Sequence, residues 1–317
     1  MRFTFNPLRF NFLLLGLLLF SCTKEVNIDI PVKEKQLVVD GRIESNGFPI
    51  VFLTQSQYLY EPANLGSYLS SNVTTAQVTV TNGVDTLSLT LFSPSQLPLE
   101  SQISLAEMLN LEVHEINLLP IYVYSTVNPL MKGLVGKKYT LSITYENKVH
   151  VGTTEILSPV PLAQTQWIPD AENPMFGLCR AYLNDPSTER NAYRWESKLI
   201  TSYNGLPKDQ QFRHGGESYF NDAFFNGLAI SFETRYPKKD TTYPSGYKRH
   251  FKYGDSVVIR FSHIELPVFD FFDKRLSQMQ SNGSPFSSPV QIPSNISNAL
   301  GIWAGYSYWQ DTLYCIP

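Results

Sequence analysis

Apolar and polar residues alternate in short runs along most of this chain, a pattern that predicts β-strands. Residues 76–81 alternate, a turn follows at Asn82-Gly83, and the alternation returns over residues 85–92. Residues 138–145 and 149–156 form a similar pair around a second turn. Asn-Gly between alternating runs is a strong hairpin signal, so we predict two β-hairpins in the first half of the chain.

The other predicted strands are also short and rich in β-branched or aromatic residues. They span residues 36–43, 49–55, 176–183, 193–201, 228–236, 256–264, 301–308 and 312–316. The strands before residue 158 predict an immunoglobulin- or transthyretin-like sandwich over residues 36–158. Pro159 and Pro161 then fix the backbone and remove hydrogen-bond donors, so residues 162–317 are predicted to form a second, β-rich domain.

Two helices are expected to interrupt the strands. Residues 93–134 form an insertion in which Ser104 and Glu107 have the spacing of a capping box ahead of apolar residues. Residues 267–280 begin at a proline and repeat apolar side chains every three or four positions. The prediction is therefore a mostly β protein, with a helical insertion in the N-terminal sandwich and one amphipathic helix in the C-terminal domain.

The first residues are typical of an export signal. Arg2 and Arg9 precede an apolar run at residues 12–20. Because crossing a bilayer takes about 20 apolar residues, this run is too short to span a membrane.

A lipid attachment site follows this apolar run. Leu19 and Ser21 stand three positions and one position before Cys22, a spacing that resembles a bacterial lipobox. We therefore predict that residues 1–21 are a lipoprotein signal peptide, that Cys22 is lipidated and that residues 22–35 are a tether. The alternative is a secretory signal with an incidental cysteine.

Charge, hydropathy and cysteine content bear on nucleic-acid binding, membrane attachment and disulfide formation. The 317-residue chain has a formal net charge of −3, which provides no electrostatic attraction to nucleic acid. No second apolar run has membrane-spanning length, so the lipid on Cys22 is the only membrane attachment we expect. Two cysteines remain after the signal, Cys179 and Cys315. They are either bridged, as export would permit, or buried and unpaired.

Candidate contact residues fall in two segments. Residues 235–250 combine cations with tyrosines around a predicted hairpin tip, and such a surface can bind an anionic glycan, a lipopolysaccharide phosphate or an acidic loop. The alternative is that these charges are simply exposed to solvent on a hairpin. The insertion is a second candidate surface, and it is apolar. The candidates are Arg235, Lys238, Lys239, Tyr243, Tyr247, Lys248 and Arg249 in the hairpin, and Leu109, Leu111 and Tyr122 in the insertion.

A further candidate is the strand at 193–201. Alternation places Tyr193 and Trp195 on one of its faces and Arg194 on the other. The two aromatic rings are either a platform for a sugar or peptide or part of a sandwich core.

Catalytic and metal-binding motifs are not evident. None of the five histidines has another histidine four residues away, and no cysteine pair accompanies them. His214-Gly215-Gly216 is similar to an oxyanion-hole turn, but no Gly-x-Ser-x-Gly segment supplies a nucleophile. The sequence does not exclude a pair of carboxylates for glycoside hydrolysis, because the fold and not the spacing along the chain sets the distance between them. We expect neither an enzyme nor a cofactor.

Several motifs share their order and spacing with a known family over nearly the whole chain after the signal. They are residues 37–43 (LVVDGRI), 136–144 (GKKYTLSIT), Pro159-Val160-Pro161, Asp185-Pro186, 191–195 (NAYRW), Ser284-Pro285-Phe286 and 294–298 (SNISN) before Gly301. This series resembles a Bacteroidota lipoprotein family known as domain of unknown function 4249. The resemblance implies a β-rich outer-membrane lipoprotein, often encoded beside TonB-dependent receptors, and it supplies no catalytic residues.

These observations predict a non-catalytic lipoprotein anchored in the outer membrane and facing the cell surface. Charged residues at Lys24-Glu25 and Asp29 resemble a surface-export signal, an ordinary polar tether being the alternative. The expected partner is a β-barrel such as a TonB-dependent receptor, in the capture or gating of a nutrient, with a glycan or peptide as ligand. The alternative functions are a structural subunit of an outer-membrane assembly complex and a glycan-active enzyme.

Overall fold

Strands are the main regular secondary structure in the computed structural model, which describes residues 34–57, 65–281 and 291–316. The elements of the first half are β1 (Leu37–Glu44), β2 (Ile50–Gln55), α1 (Leu65–Ser70), β3 (Gln77–Thr81), β4 (Thr86–Ser88), β5 (Thr90–Phe92), α2 (Leu99–Leu109), α3 (Val113–Ile116), β6 (Val123–Ser125), β7 (Lys138–Tyr145) and β8 (Lys148–Glu155). Those of the second half are β9 (Leu162–Pro169), β10 (Phe176–Asn184), β11 (Ala192–Leu199), β12 (Ser202–Tyr203), β13 (Leu206–Pro207), β14 (Tyr219–Asn221), β15 (Ala229–Thr234), β16 (Phe251–Lys252), β17 (Ser256–Ile264), α4 (Leu266–Ser281) and β18 (Leu300–Tyr314). The mostly β prediction is confirmed.

One eight-stranded sheet lies at the centre, in the order β14-β11-β17-β18-β1-β2-β6-β5. Its middle is the parallel pair of β1 and β18, in which Val38 lies opposite Leu300 and Glu44 opposite Tyr306. Gly301 has φ +104, and a side chain there would lie 1.8 Å from the carbonyl oxygen of Val39. A glycine is therefore needed for β18 to begin against β1.

Two smaller sheets cover one face of the central sheet. The sheet β4-β3-β7-β8 packs on β1, β2 and the start of β18, around buried residues that include Val39, Leu141 and Trp303. The sheet β15-β10-β16, with β9 beside β10, packs on β11, β17 and the end of β18, around a core that includes Trp195 and Phe261. The long strand β18 therefore contributes to both sandwiches.

Helices cover the opposite face of the central sheet. Leu105 of α2 and Ile116 of α3 pack against Ile50 and Phe52 of β2. At the other end, Val268 and other apolar residues of α4 pack against β11, β17 and β18. No helix in the described ranges has the length and hydropathy needed to cross a membrane.

The predicted hairpins form as expected. Asn82-Gly83 joins β3 to β4, and Glu146 and Asn147 join β7 to β8 with both residues at positive φ. The predicted strand at 85–92 is divided at the buried Leu89, because β4 stays in the small sheet while β5 pairs with β6 in the central one. The two predicted closing strands are one continuous strand, β18.

The capping box predicted at Ser104 and Glu107 is wrong. Helix α2 begins at Leu99, so both residues lie inside the helix, where Ser104 cannot cap it. Glu107 is buried and forms an ion pair with Arg260 instead. A helix in the insertion is confirmed, and so is the C-terminal helix. Met279, the last of the apolar side chains that repeat every three or four positions in the C-terminal helix, is nevertheless 63% exposed.

The predicted domain boundary lies within the described residues, whereas several other predicted segments lie outside them. The described residues from Lys35 onward form one compact unit, and β1 and β18 join strands from both sides of the boundary predicted at Pro159 and Pro161. The division into domains at that point stays a prediction. The signal peptide, Cys22, most of the tether and the Ser284-Pro285-Phe286 motif lie outside the described residues.

Cys179 and Cys315 are free, buried thiols in the core of the second sandwich. Burial raises the pKa of the Cys179 thiol to about 12 and raises that of Cys315 as well. The thiolate form that reacts with disulfide reagents is therefore strongly disfavoured in the folded protein.

Ellman's reagent should not modify Cys179 or Cys315 in the native protein, and should modify both in concentrated urea. The measurement uses the Cys22→Ser variant, which leaves these two cysteines as the only thiols of the chain. Two reactive thiols in urea without a reductant are expected. No reactive thiol under those conditions would show a bridge and contradict the structure.

Candidate functional site

The tyrosines of the predicted contact hairpin pack onto the protein. The ring of Tyr247 stacks on Phe176 at 4.9 Å, and its hydroxyl donates to Asp170 at 3.0 Å. Tyr243 meets the same Phe176 ring edge-on at 5.0 Å, and Lys208 donates to its hydroxyl. Residues 235–250 contain no strand, so the predicted hairpin is wrong, and they form a loop in which the Tyr236 N–H donates to the Arg249 carbonyl oxygen at 3.1 Å. The ring contacts hold this loop in place and occupy ring faces that a ligand would need.

The cations of residues 235–250 lie on different parts of the surface. Lys239 and Lys248 are exposed. Lys238 lines a cleft of about 410 Å³ together with Glu112 and Glu115 of the insertion. The candidate cations therefore do not form one surface.

Arg235 and Arg249 are different, because both line a larger cleft of about 510 Å³ at the open side of the second sandwich. We call it the edge cleft. Its apolar lining consists of Leu178, Trp195, Phe220, Phe225, Ile230 and Phe232. Its polar lining, apart from the two arginines and Gly215, consists of Glu217, Ser218, Glu233 and Thr234.

The edge cleft lies where two sheet edges meet. β14 is an end strand of the central sheet, and β15 is an end strand of the smaller one. Phe220 of β14 and Ile230 and Phe232 of β15 pack on the core but stay half-buried. The sandwich is therefore not closed on this side, and its aromatic core is accessible there.

Aromatic rings form the floor of the edge cleft. Phe232 meets Trp195 edge-on at 6.0 Å and Phe220 at 5.0 Å, and Phe225 lies 6.3 Å from Phe220. The indole nitrogen of Trp195 is buried and has no hydrogen-bond partner among the residues that the structure describes. Trp195 and Tyr193 are thus core residues, as one of the two predicted alternatives had it, and only Trp195 reaches the edge cleft.

Positive charge dominates the rim of the edge cleft. Arg235 is exposed and Arg249 half-buried, and neither is in an ion pair within the described part of the chain. The Nε atom of Arg249 donates only to the carbonyl oxygen of Tyr236, at 3.4 Å. Glu233 is neutralised by Arg180 at 2.6 Å, which leaves Glu217 as the opposing charge. Two guanidinium groups beside aromatic rings can bind a carboxylate or phosphate attached to an apolar body.

A second group of charges is buried under the helices. This buried ion cluster consists of the buried residues Arg42, Glu107, Arg194, Glu196 and Arg260, with the partly exposed Glu44 paired to Arg42 at its margin. Arg194 contacts Glu196 at 2.7 Å, and Arg260 contacts Glu107 at 3.1 Å. Burial opposes the charge of Glu196, but Arg194 and Arg260 hold its pKa below the usual value, whereas burial raises the pKa of Glu107. The ion pairs of the cluster join α2 to the central sheet, so its charges stabilise the fold.

His214, the residue of the predicted oxyanion-hole turn, lies beside this cluster. Burial, assisted by Arg194, lowers the pKa of His214 to about 4. The imidazole is therefore neutral at physiological pH. His150 and His263 contact backbone carbonyls of Ser297 and Ser158. The described ranges contain no group of three or more potential metal ligands.

The apolar insertion candidates are only partly available. Leu109 and Leu111 pack against the core under α2 and α3. Tyr122 is 44% exposed, and Leu118, which was not among the predicted contact residues, is 82% exposed. The most exposed large apolar side chain of the insertion, Leu118, therefore lies in the segment after α3.

Comparison with known proteins identifies one family. A family model described as "Domain of unknown function (DUF4249)" matches residues 23–312. No curated protein matches the chain.

Proposed function

The chain belongs to the DUF4249 family, and we propose that it is a non-catalytic, surface-exposed lipoprotein of the outer membrane. It captures a ligand in the edge cleft and works beside a β-barrel such as a TonB-dependent receptor. The lipid on Cys22 keeps the protein at the membrane. The residues of the signal and lipobox support the anchoring, and the edge cleft supports the capture.

The observation that carries this proposal is the pair of arginines at the rim of an aromatic cleft. Binding sites for small ligands are concave and mostly apolar, with a few polar groups that orient the ligand. The edge cleft has a volume of about 510 Å³ and aromatic walls, and Arg235 and Arg249 lie at its rim without carboxylate partners in the described ranges. An unpaired cation beside such a pocket is available to a ligand.

One observation favours a second function, a glycan-active enzyme. Glu217 and Glu233 both line the edge cleft, and glycoside hydrolases use two carboxyl groups. The side chain of Glu233 is 44% exposed and already bonded to Arg180, so it is poorly placed as a general acid. If the protein releases reducing sugar from a glycan, and Glu217→Gln abolishes that release, the function is hydrolysis and not capture.

The test of the barrel partnership is a pull-down of the tagged protein from gently solubilised outer membranes, followed by mass spectrometry. A stoichiometric TonB-dependent barrel is expected. The exposed segment after α3 is the proposed contact, so Leu118→Ser with Tyr122→Ser should reduce the recovered barrel several-fold.

The matched control is Val84→Ser with Met279→Ser, which also removes two exposed apolar side chains, 86% and 63% accessible, from other surfaces. Equal recovery with both double variants would show that the contact lies elsewhere. Assembly-complex subunits in place of a transporter would favour the structural alternative, and no partner at all would contradict the partnership.

A further inference from the structure

Strand β15 presents its main-chain edge to the edge cleft. Its only partner is β10, so its other side has no strand beside it in the described ranges. The consecutive residues Phe232, Glu233, Thr234 and Arg235 all line the cleft. Because neighbouring side chains of a strand point to opposite faces, four in a row line one cleft only where the strand edge itself borders it.

This edge lacks the usual protection against pairing with another strand. Natural edge strands are blunted by lysines, prolines, bulges or covering segments. β15 has the sequence AISFET, with neither lysine nor proline, and pairs with β10 from Asn184 to Cys179 without a register shift. Its one charged residue, Glu233, is paired with Arg180 of β10. The edge is regular enough to accept a further strand.

The surroundings of the edge suit particular side chains. Trp195, Phe220 and Phe225 offer apolar contacts beside β15. Phe224 is 98% exposed next to Phe225 in the chain, and Leu228, just before β15, is 56% exposed. Arg235 follows the end of β15 directly, and Arg249 lies near it at the rim. Apolar side chains thus fit along the strand, and an acidic group fits at the end beside the arginines.

We propose that the edge cleft binds a short, extended oligopeptide as an added strand on β15, with apolar side chains on the aromatic floor and an acidic residue or carboxylate beside Arg235 and Arg249. The proposal rests on the capture function proposed above and specifies its ligand class. Main-chain hydrogen bonds would provide affinity, and the pockets for alternate side chains would provide selectivity. A cleft of about 510 Å³ accommodates a peptide segment and not a folded domain.

The test uses a fluorescent heptapeptide that alternates valine or phenylalanine with serine and ends in two glutamates. Its binding to the purified protein is measured by fluorescence anisotropy. Two N-methylated versions carry the methyl groups on alternate amides, one version on the odd and one on the even positions. Since a strand directs alternate amides to one side, one version should bind like the parent and the other at least ~10-fold more weakly.

Protein variants test the acidic end. Arg235→Gln with Arg249→Gln should weaken binding of the parent peptide by ~10-fold, because two charge-assisted hydrogen bonds are lost. Lys137→Gln with Lys252→Gln removes the same charge from exposed positions outside the cleft and should leave binding unchanged. Equal binding of both methylated versions, equal effects of the two double variants, or no binding of the parent peptide would overturn the proposal.

The two proposals fail in distinguishable ways. A barrel recovered in the pull-down, with no peptide binding, would overturn the oligopeptide ligand and leave the partnership intact. Peptide binding without a barrel would do the reverse. Release of the barrel by excess peptide would assign the cleft to a segment of the barrel and overturn the assignment to a captured ligand.

Discussion

Replacing Glu107 with alanine should lower the free energy of unfolding by about 3–5 kcal/mol, the cost of leaving a buried charge without its partner. The two carboxylate oxygens of Glu107 accept from the amide of Phe212 at 3.0 Å and from Arg260 at 3.1 Å. Without them, Glu196 at 3.7 Å is the only carboxylate within 4 Å of Arg260 in the described ranges, and the side chain of Arg260 is 9% exposed. Urea denaturation monitored by circular dichroism measures the change.

Glu100→Ala is the matched control, because it removes a glutamate from the same helix. Glu100 pairs with Lys132 at 3.4 Å, and both side chains are well exposed, so its loss should cost less than about 1 kcal/mol. Glu107→Gln should fall between the two, since an amide oxygen still accepts one hydrogen bond but carries no charge. Similar costs for Glu100→Ala and Glu107→Ala would contradict a structural role of the buried ion cluster.

Replacing Cys22 with serine should abolish lipidation and move the protein from the membrane fraction to the soluble fraction. The thiol of Cys22 is the predicted site of diacylation, and serine supplies no thiol. The lipid is the only predicted attachment, so its loss should leave no residual membrane binding. Incorporation of labelled palmitate and cell fractionation measure both effects.

Cys179→Ser is the control, because it removes a thiol that lies in the core and takes no part in anchoring. Its palmitate incorporation should equal that of the unaltered protein. Membrane retention of the Cys22→Ser protein would show an attachment other than the lipid, and labelling of that variant would show another acylated residue.

Local features of the fold were predictable because local residues determine them. Asn82-Gly83 adopts the turn that its residue types favour, and α4 forms where Pro267 precedes an apolar stripe. The prediction of a capping box at Ser104 and Glu107 was wrong because Glu107 makes a tertiary contact instead, an ion pair with Arg260, which lies far away in the chain.

The buried ion cluster could not be predicted for a related reason. Arg194 and Glu196 alternate with Tyr193 and Trp195, and in a two-layer sandwich this pattern places the charges in solvent. Here α2 and α4 cover that face, and sequence alternation carries no information about such a cover. The charges are therefore buried and must be paired.

Only part of the candidate site was predictable. Arg235 and Arg249 were selected from their cationic, aromatic surroundings, and both line the edge cleft. Phe220 and Phe225 were missed because their role depends on two sheet edges, β14 and β15, that come together across the sandwich. The run of aromatic residues at 219–225 was the signal in the sequence that could have indicated them.

The parallel pairing of β1 with β18 sets the order in which the central sheet can form. A polypeptide that is synthesised from its N-terminus delivers Val38 long before Leu300, the residue opposite it. Until β18 arrives, β1 can pair only with β2, and its other side stays an open strand edge. Closing so long a loop is entropically costly and slow, so the central sheet is completed late in folding. In that interval the open edge of β1 can pair with a strand of another chain, so aggregation competes with folding.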